Sequence, residues 1–491
     1  MSTKRHTAYN LAGAIAPVLM MLVSVPLYLS AMGEARYGVL AIVWLLTGYF
    51  GFFDFGLGRA TAFAIARARD ADDAVRADTF WTALIVNIGF GALGALVLWL
   101  AAPLLFLHVF NLSSQLRAEL TPVLGWIALA IPLLTLEGVF SGALTGREKF
   151  LALNVRATVG TALTQFLPLL AVWLVSPTLD VAIPATIAAR TLSVALLAGL
   201  AFRAVPTSAR PRFGGKDMAK SLLGYGGWVS ASSFLNPLIA NLDRFLIATF
   251  LTPIAVTQYT VPFQLVSRSS VVPNALASAL FPRFARQDGE EAKELAMRAI
   301  RANAAMMTVL CAIGIAILPA FLALWIDPDF AQNAALVGQL LGLSVWLNSI
   351  ALVPFNLLQA QGRPRDTTLI LLLQTLPFFL AGIVGVLTAG IVGVALARNL
   401  RSAIDTSLLL HKVDLLRRVT SMSIIPLLLL ALIIGISNFS QFEAISNVIA
   451  IAIAVFASVF VADRIFSEWR ESFAVAGARI RDRLSAKRKR R

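Results

Sequence analysis

Charge is scarce in this chain. Asp, Glu, Lys and Arg supply 14% of its 491 residues, against about 25% in a typical soluble domain. That shortage excludes an ordinary water-soluble enzyme. It also excludes a disordered chain or a soluble repeat array, whose exposed faces have to be polar. Cysteine is scarcer still: Cys311 stands alone, so no intrachain disulfide can form, and its apolar neighbours mark it as a packing residue. The three histidines, His6, His108 and His411, are too scattered for the Cys/His spacing of a metal site. No Walker-type phosphate loop is present. The residues therefore call for no cofactor and no metal.

What the chain has in excess is hydrocarbon: 58% of it is hydrophobic, including 31 Phe. One membrane-spanning helix takes about 20 apolar residues, and the apolar content is enough for about fourteen. Runs of that length recur at 11–29, 37–55, 80–106, 122–144, 157–175, 181–202, 222–241, 258–281, 304–325, 334–358, 368–387, 391–411, 421–436 and 444–461, parted by short breaks rich in Arg, Asp, Gly or Pro. The fold class expected is an all-α polytopic membrane protein. Gly89, Gly91 and Gly94 fit a G-x-G-x-x-G pattern, yet they lie inside a spanning run with no preceding strand, which predicts close helix packing rather than dinucleotide binding.

The net charge of +15 raises nucleic acid as a partner, and its placement removes it. With the N-terminus inside, 34 of the 41 Lys and Arg fall in inner segments. The outer segments hold only Arg36, Arg117 and Arg244, and the spans hold Arg190, Arg268, Arg398 and Arg401. This asymmetry puts both termini in the cytoplasm of a multi-pass plasma-membrane protein. The basic tail is compatible with a helix lying on anionic membrane lipid.

Features repeat in order between the halves. Tyr37 is matched by Tyr259, Phe63 by Phe281, Pro103 by Pro319, Gly146–Arg147 by Gly362–Arg363, Pro168 by Pro377 and Arg190 by Arg398. The order predicts two six-helix lobes as a parallel pseudo-repeat, plus two C-terminal helices, an arrangement used by transporters with the substrate path between the halves. The expected division is an N-lobe at 1–203, a basic linker at 204–220, a C-lobe at 221–412, two helices at 413–463 and a cytoplasmic tail at 464–491. Pro17, Pro26, Pro237, Pro262 and Pro273 provide bends that would suit alternating access.

Ionisable groups inside spans are the candidate site, because each costs at least about 2.5–3.5 kcal/mol in mid-membrane unless it meets a partner or water. Arg268 lies near the middle of its span, with Gln264 one turn before it. Arg190 and Arg398 occupy matched helices, and Arg401 has Asp405 four residues on; these three either face a cavity or pair within a lobe. Asp54, followed by Arg59, lies near the inner end of the second span, and Asp243 with Arg244 near the outer end of the seventh. Glu137 reads as structural.

Asn10, the MGEARYG turn at Met32 to Gly38, the DFGLG string at Asp54 to Gly58, the NLDRFLI string around Asp243, Tyr259 and the two Gly-Arg turns together resemble lipid-linked oligosaccharide flippases of the Wzx type. These form the polysaccharide-transport branch of the multidrug, oligosaccharidyl-lipid and polysaccharide exporter superfamily. The resemblance implies a two-lobed bundle moving a polyprenyl-pyrophosphate-linked glycan, an O-antigen or exopolysaccharide repeat unit, to the outer leaflet, with a glycan polymerase and export machinery as its protein partners. A central Arg would supply charge to the pyrophosphate, and the candidate substrate-binding set read from the spans is Arg268, Arg244, Asp243, Asp54, Arg59, Gln264, Arg190, Arg398 and Arg401. A peptidoglycan-precursor flippase, a cation-coupled drug exporter of the same superfamily and, from another class, a membrane glycosyltransferase or polymerase stand as alternatives.

Overall fold

The computed structural model describes residues 3–68, 72–205, 213–216, 218–220, 239, 241–287, 289–439, 451, 452 and 454–460. The spans expected at 222–241 and 444–461, Pro237, much of the 204–220 linker and the basic tail fall largely or wholly outside them. Every element described is helical. The chain divides into two compact units, Met1–Thr257 and Gln258–Arg491.

The first unit begins with α1 (Thr3–Phe50), a single run that holds two spans. Gly33 parts them with φ 78° and ψ 165°, a conformation essentially reserved for glycine, and so the MGEARYG string turns back on itself. Tyr28, Tyr37 and Trp44 close over the turn, with ring centroids 5.9–6.1 Å apart. Beyond the turn Arg36 donates from Nε and Nη2 to the Glu119 carboxylate, at 2.9 and 2.6 Å. Glu119 also accepts from the Leu179 backbone N–H at 3.1 Å, which ties three segments at one end of the unit.

A 3-10 turn at Gly51–Asp54, then Phe55 and Gly56 with positive φ, lead into α2 (Leu57–Arg67). Then come α3 (Asp73–Leu104), α4 (Ser114–Leu120), α5 (Leu124–Gly146), α6 (Phe150–Leu174) and α7 (Leu179–Ala204). Glycine sets how closely these helices approach. A Cβ on Gly58 would meet the Gly138 carbonyl at 2.7 Å, one on Gly142 would strike the Gly58 carbonyl, and one on Gly146 would meet Ala62 O at 2.8 Å. Thus α2 lies on a small-residue seam of α5. Of the three glycines in α3, Gly91 backs onto Thr135 and Gly94 onto Phe53 and Ile131, whereas Gly89 faces open space. Phe80, Phe140 and Phe202 fill the core between α3, α5 and α7.

The second unit holds most of α8 (Pro253–Ser267), a 3-10 turn at Arg268–Ser270, α9 (Val271–Phe284), α10 (Gly289–Trp325), α11 (Pro328–Ala360), α12 (Pro364–Lys412) and α13 (Leu416–Phe439). Like α1, α12 contains two spans; Ala389 and Gly390 (φ 58°, ψ −136°) fold them back so that Gly385 and Gly393 touch backbone to backbone. Buried polar side chains bridge α10, α11 and α12. Trp346 Nε1 donates to Thr308 Oγ1 at 2.9 Å, Asn303 Nδ2 to Ser349 O at 2.5 Å, and Asn399 Nδ2 to Leu340 O at 2.9 Å. Such bonds join helices where hydrocarbon on both sides provides little drive.

Candidate functional site

Arg268 stands on a break in a helix. Pro273 lacks an N–H, so the Ser269 carbonyl four residues earlier loses its helical donor, and the backbone tightens into the 3-10 turn. Ser and Asn side chains satisfy carbonyls around the break: Ser267 Oγ donates to Gln264 O at 3.1 Å, Ser269 Oγ to Val266 O at 2.7 Å, and Asn274 Nδ2 to Ser270 O at 2.6 Å. Arg268 lies fifteen residues after Pro253 and sixteen before Phe284, about 23 Å from either end of the α8–α9 rod.

The rod has two faces. Pro273, Ala277 and Phe284 are buried, and Val266, Val272 and Leu280 pack against the core of the unit. At helical spacing on the other side run Gln264, Ser267, Arg268, Asn274 and Ser278, interrupted by Val271 and Ala275, with Arg268, Val271, Asn274, Ala275 and Ser278 exposed. No hydrogen bond or ion pair among the described residues engages the Arg268 side chain. A charged group midway along an apolar rod, beside Gln264 and Ser267 and turned from its own core, has the placement expected of a residue facing a wet path rather than lipid tails.

Arg398 places its guanidinium over the Phe263 ring, 4.5 Å from the centroid, so it packs against α8 beside Gln264. Arg401 lies 5.1 Å over Phe378, and Gln374 donates to the Asp405 carboxylate at 2.8 Å.

In the first unit the expected residues fall into three places. Asp54 accepts from Gly58 N–H at 3.2 Å and Asn87 Nδ2 at 3.0 Å, and its carboxylate occupies the space where a Gly138 side chain would stand. Gly138 precedes the end of α5 by eight residues, about 12 Å. Asp54 is therefore deeper than the inner-end position expected from its apolar run, because the helix resumes as α2 and follows α5 onward. Arg59 is exposed on α2. Asp243 is fully buried, its Oδ1 accepts the Arg244 N–H at 2.9 Å, and Arg244 Nη1 donates to Asn241 Oδ1 at 2.9 Å.

The third place holds Arg190, beside an ion pair of Arg156 that sequence reasoning missed. Arg156 belongs to the second turn of α6 rather than to an inner loop. It donates from Nη1 to Glu137 Oε1 at 2.5 Å and from Nε to Ser193 O at 3.3 Å. Arg190 lies within the field of both charges. Among the described residues no group of three or more His, Cys, Asp or Glu could hold a metal ion.

Nine of the described helices are long and apolar enough to cross a membrane, and two of them, α1 and α12, contain a turn between two spans. The fold is that of an all-helical, multi-pass membrane protein. It resembles the lipid II flippase MurJ in its inward closed conformation, with a TM-score of 0.68 over 94% of this chain and 99% of that one at 12% identity. It also resembles an inward-facing multidrug resistance MATE family transporter of the MOP superfamily, with a TM-score of 0.62 over 85% and 96% of the two chains at 16% identity.

The chain belongs to the polysaccharide biosynthesis protein family, whose profile matches residues 3–288. A Shigella flexneri protein named as an O-antigen transporter is 26% identical over 414 residues, 83% of this chain and 97% of that protein. The protein is accordingly a multi-pass membrane protein of the polysaccharide biosynthesis family.

Proposed function

We propose that the protein moves a polyprenyl-pyrophosphate-linked oligosaccharide, an O-antigen or exopolysaccharide repeat unit, from the inner to the outer leaflet by alternating access. The observation that carries this reading is the exposed Arg268 midway along the α8–α9 rod, beside Gln264 and Ser267. The polyprenyl chain can remain in lipid throughout, so only the pyrophosphate and sugars need a polar route. A guanidinium offers the pyrophosphate a planar, bidentate donor that stays charged at any physiological pH. Gln264, one turn away, and Asn274 and Ser278, farther along, supply neutral donors and acceptors suited to sugar hydroxyls.

Charge asymmetry supports an orientation with both termini in the cytoplasm. With the inside negative, each negative charge carried outward gains about 2.3 kcal/mol per 100 mV. Export of a pyrophosphate can thus proceed without ATP, and a glycan polymerase and export machinery would take the product. Asp54, Arg59, Asp243, Arg244, Arg190, Arg398 and Arg401 complete the proposed substrate-binding set; Asp54 serves it by tying α2 to α3.

A peptidoglycan precursor presents the same pyrophosphate, so the sugar decides between the readings. Deleting the gene and identifying the saccharide lipid that accumulates separates them. A polyprenyl-linked repeat unit confined to the inner leaflet is expected, whereas accumulation of the peptidoglycan precursor would replace the proposed substrate.

A further inference from the structure

Between α6 and α7 lies a groove of about 380 Å³ that transport by Arg268 does not use. Its walls include Arg156, Val159, Leu196, Gly199, Leu200 and Arg203. The two helices run antiparallel and meet closely where Gly160 faces Ser193 Oγ. Toward the end where α6 begins and α7 stops they leave space, because Ala195 and Gly199 put almost nothing on the floor. A Cβ added to Gly199 would meet no atom within 4 Å.

The groove is apolar along its length and cationic at its mouth. Val155, Val159 and Leu196 are 55%, 41% and 44% exposed, which in a membrane means contact with acyl chains. Arg203, exposed in the last turn of α7, stands two turns beyond Ala195, so the groove reaches about 12 Å from its mouth toward mid-membrane. The Arg156 guanidinium, only 10% exposed, forms the inner wall and spends Nη1 on Glu137 and Nε on Ser193 O. Two arginines beside one carboxylate leave the site net positive. The charge asymmetry of the chain assigns this end to the inner leaflet, and the inference rests on that orientation.

We infer that the α6–α7 groove binds an anionic phospholipid of the inner leaflet, with its phosphate at Arg203 and one acyl chain along Val159, Leu196 and Gly199. Charge complementarity selects the occupant. A zwitterionic lipid offers the apolar chain without the net negative head that a cationic mouth favours, and basic pockets between membrane helices on the cytoplasmic side are suited to anionic headgroups. A peptide segment would need a continuous polar backbone route that Val155, Val159 and Leu196 do not provide.

The test uses the purified full-length protein, stripped of lipid and titrated in detergent with phosphatidylglycerol or phosphatidylcholine of the same chains, with native mass spectrometry counting bound lipids. The wild type is expected to hold one phosphatidylglycerol at concentrations at least fivefold below those needed for phosphatidylcholine. Gly199→Leu fills the groove without a backbone clash and is expected to lose that one lipid. Arg203→Gln, which changes only an exposed side chain, is expected to abolish the preference between headgroups and keeps the test valid if the leucine variant does not fold. Equal retention of both lipids by the wild type, or an unchanged preference in Arg203→Gln, would overturn the inference. Displacement of phosphatidylglycerol by an equimolar polyprenyl pyrophosphate would overturn it too, by giving the groove to the transported substrate.

Discussion

Arg268→Ala is expected to cut glycan export about 10- to 100-fold while leaving the protein folded and inserted at wild-type level. The magnitude follows from the loss of a charge-assisted hydrogen-bonding pair worth about 1.5–3 kcal/mol, each 1.4 kcal/mol being tenfold. Retention of the fold follows from geometry. The side chain is exposed and gives up no internal hydrogen bond or ion pair among the described residues when truncated. Arg268→Lys keeps the point charge and loses the bidentate fork, so its export should fall between the two, a few-fold below wild type. Surface glycan measured at matched protein levels reads all three. Unchanged export in Arg268→Ala would take this residue out of the site, and a lysine variant as impaired as alanine would show that geometry outweighs the field.

The second large effect belongs to folding. Gly142→Val should abolish most of the folded protein, because its Cβ would be driven into the Gly58 carbonyl and against Ala62 N at 3.3 Å. Both obstacles are backbone, so no rotamer change relieves them; α2 would have to leave α5, and with it the Asp54 anchor at Gly138. Overpacking of well-fitted helices commonly costs 1–3 kcal/mol, and more where backbone must move. Gly89→Ala, whose added Cβ meets nothing within 4 Å, is the matched control and should behave as wild type. Monodisperse yield after detergent extraction distinguishes them, and a normal yield for Gly142→Val would show that the seam is looser than its geometry implies.

The parts of the fold that hydrophobic length controls were legible in the sequence. The breaks between 29 and 37 and between 387 and 391 mark real reversals at Gly33 and at Ala389–Gly390, even though helix runs on through both. The central position of Arg268 along the α8–α9 rod was equally readable, since it depends only on counting residues along one apolar run. What escaped was anything set by the pairing of distant helices. Asp54 ends an apolar run and so reads as a boundary residue; its depth comes from α2 continuing along α5 after a break made by Phe55 and Gly56. Arg156 reads as an inner-loop cation because it follows a Gly-Arg turn, yet α6 starts at Phe150 and carries it to Glu137. Arg36 likewise reads as a lone outer charge, while its partner Glu119 lies 83 positions away. Local composition carries no trace of such pairs, which arise only when three or more helices assemble.

The claim on which everything else depends is that this chain carries a pyrophosphate-linked glycan lipid across the membrane by way of Arg268. Its most direct test is reconstitution of purified protein in liposomes loaded with a polyprenyl-pyrophosphate oligosaccharide, followed by an enzyme that modifies only outer-leaflet glycan. The account predicts rapid modification of the inner pool under a potential negative on the cytoplasmic side, slowed about 10- to 100-fold by Arg268→Ala. Equal rates for wild type, Arg268→Ala and protein-free liposomes would contradict it.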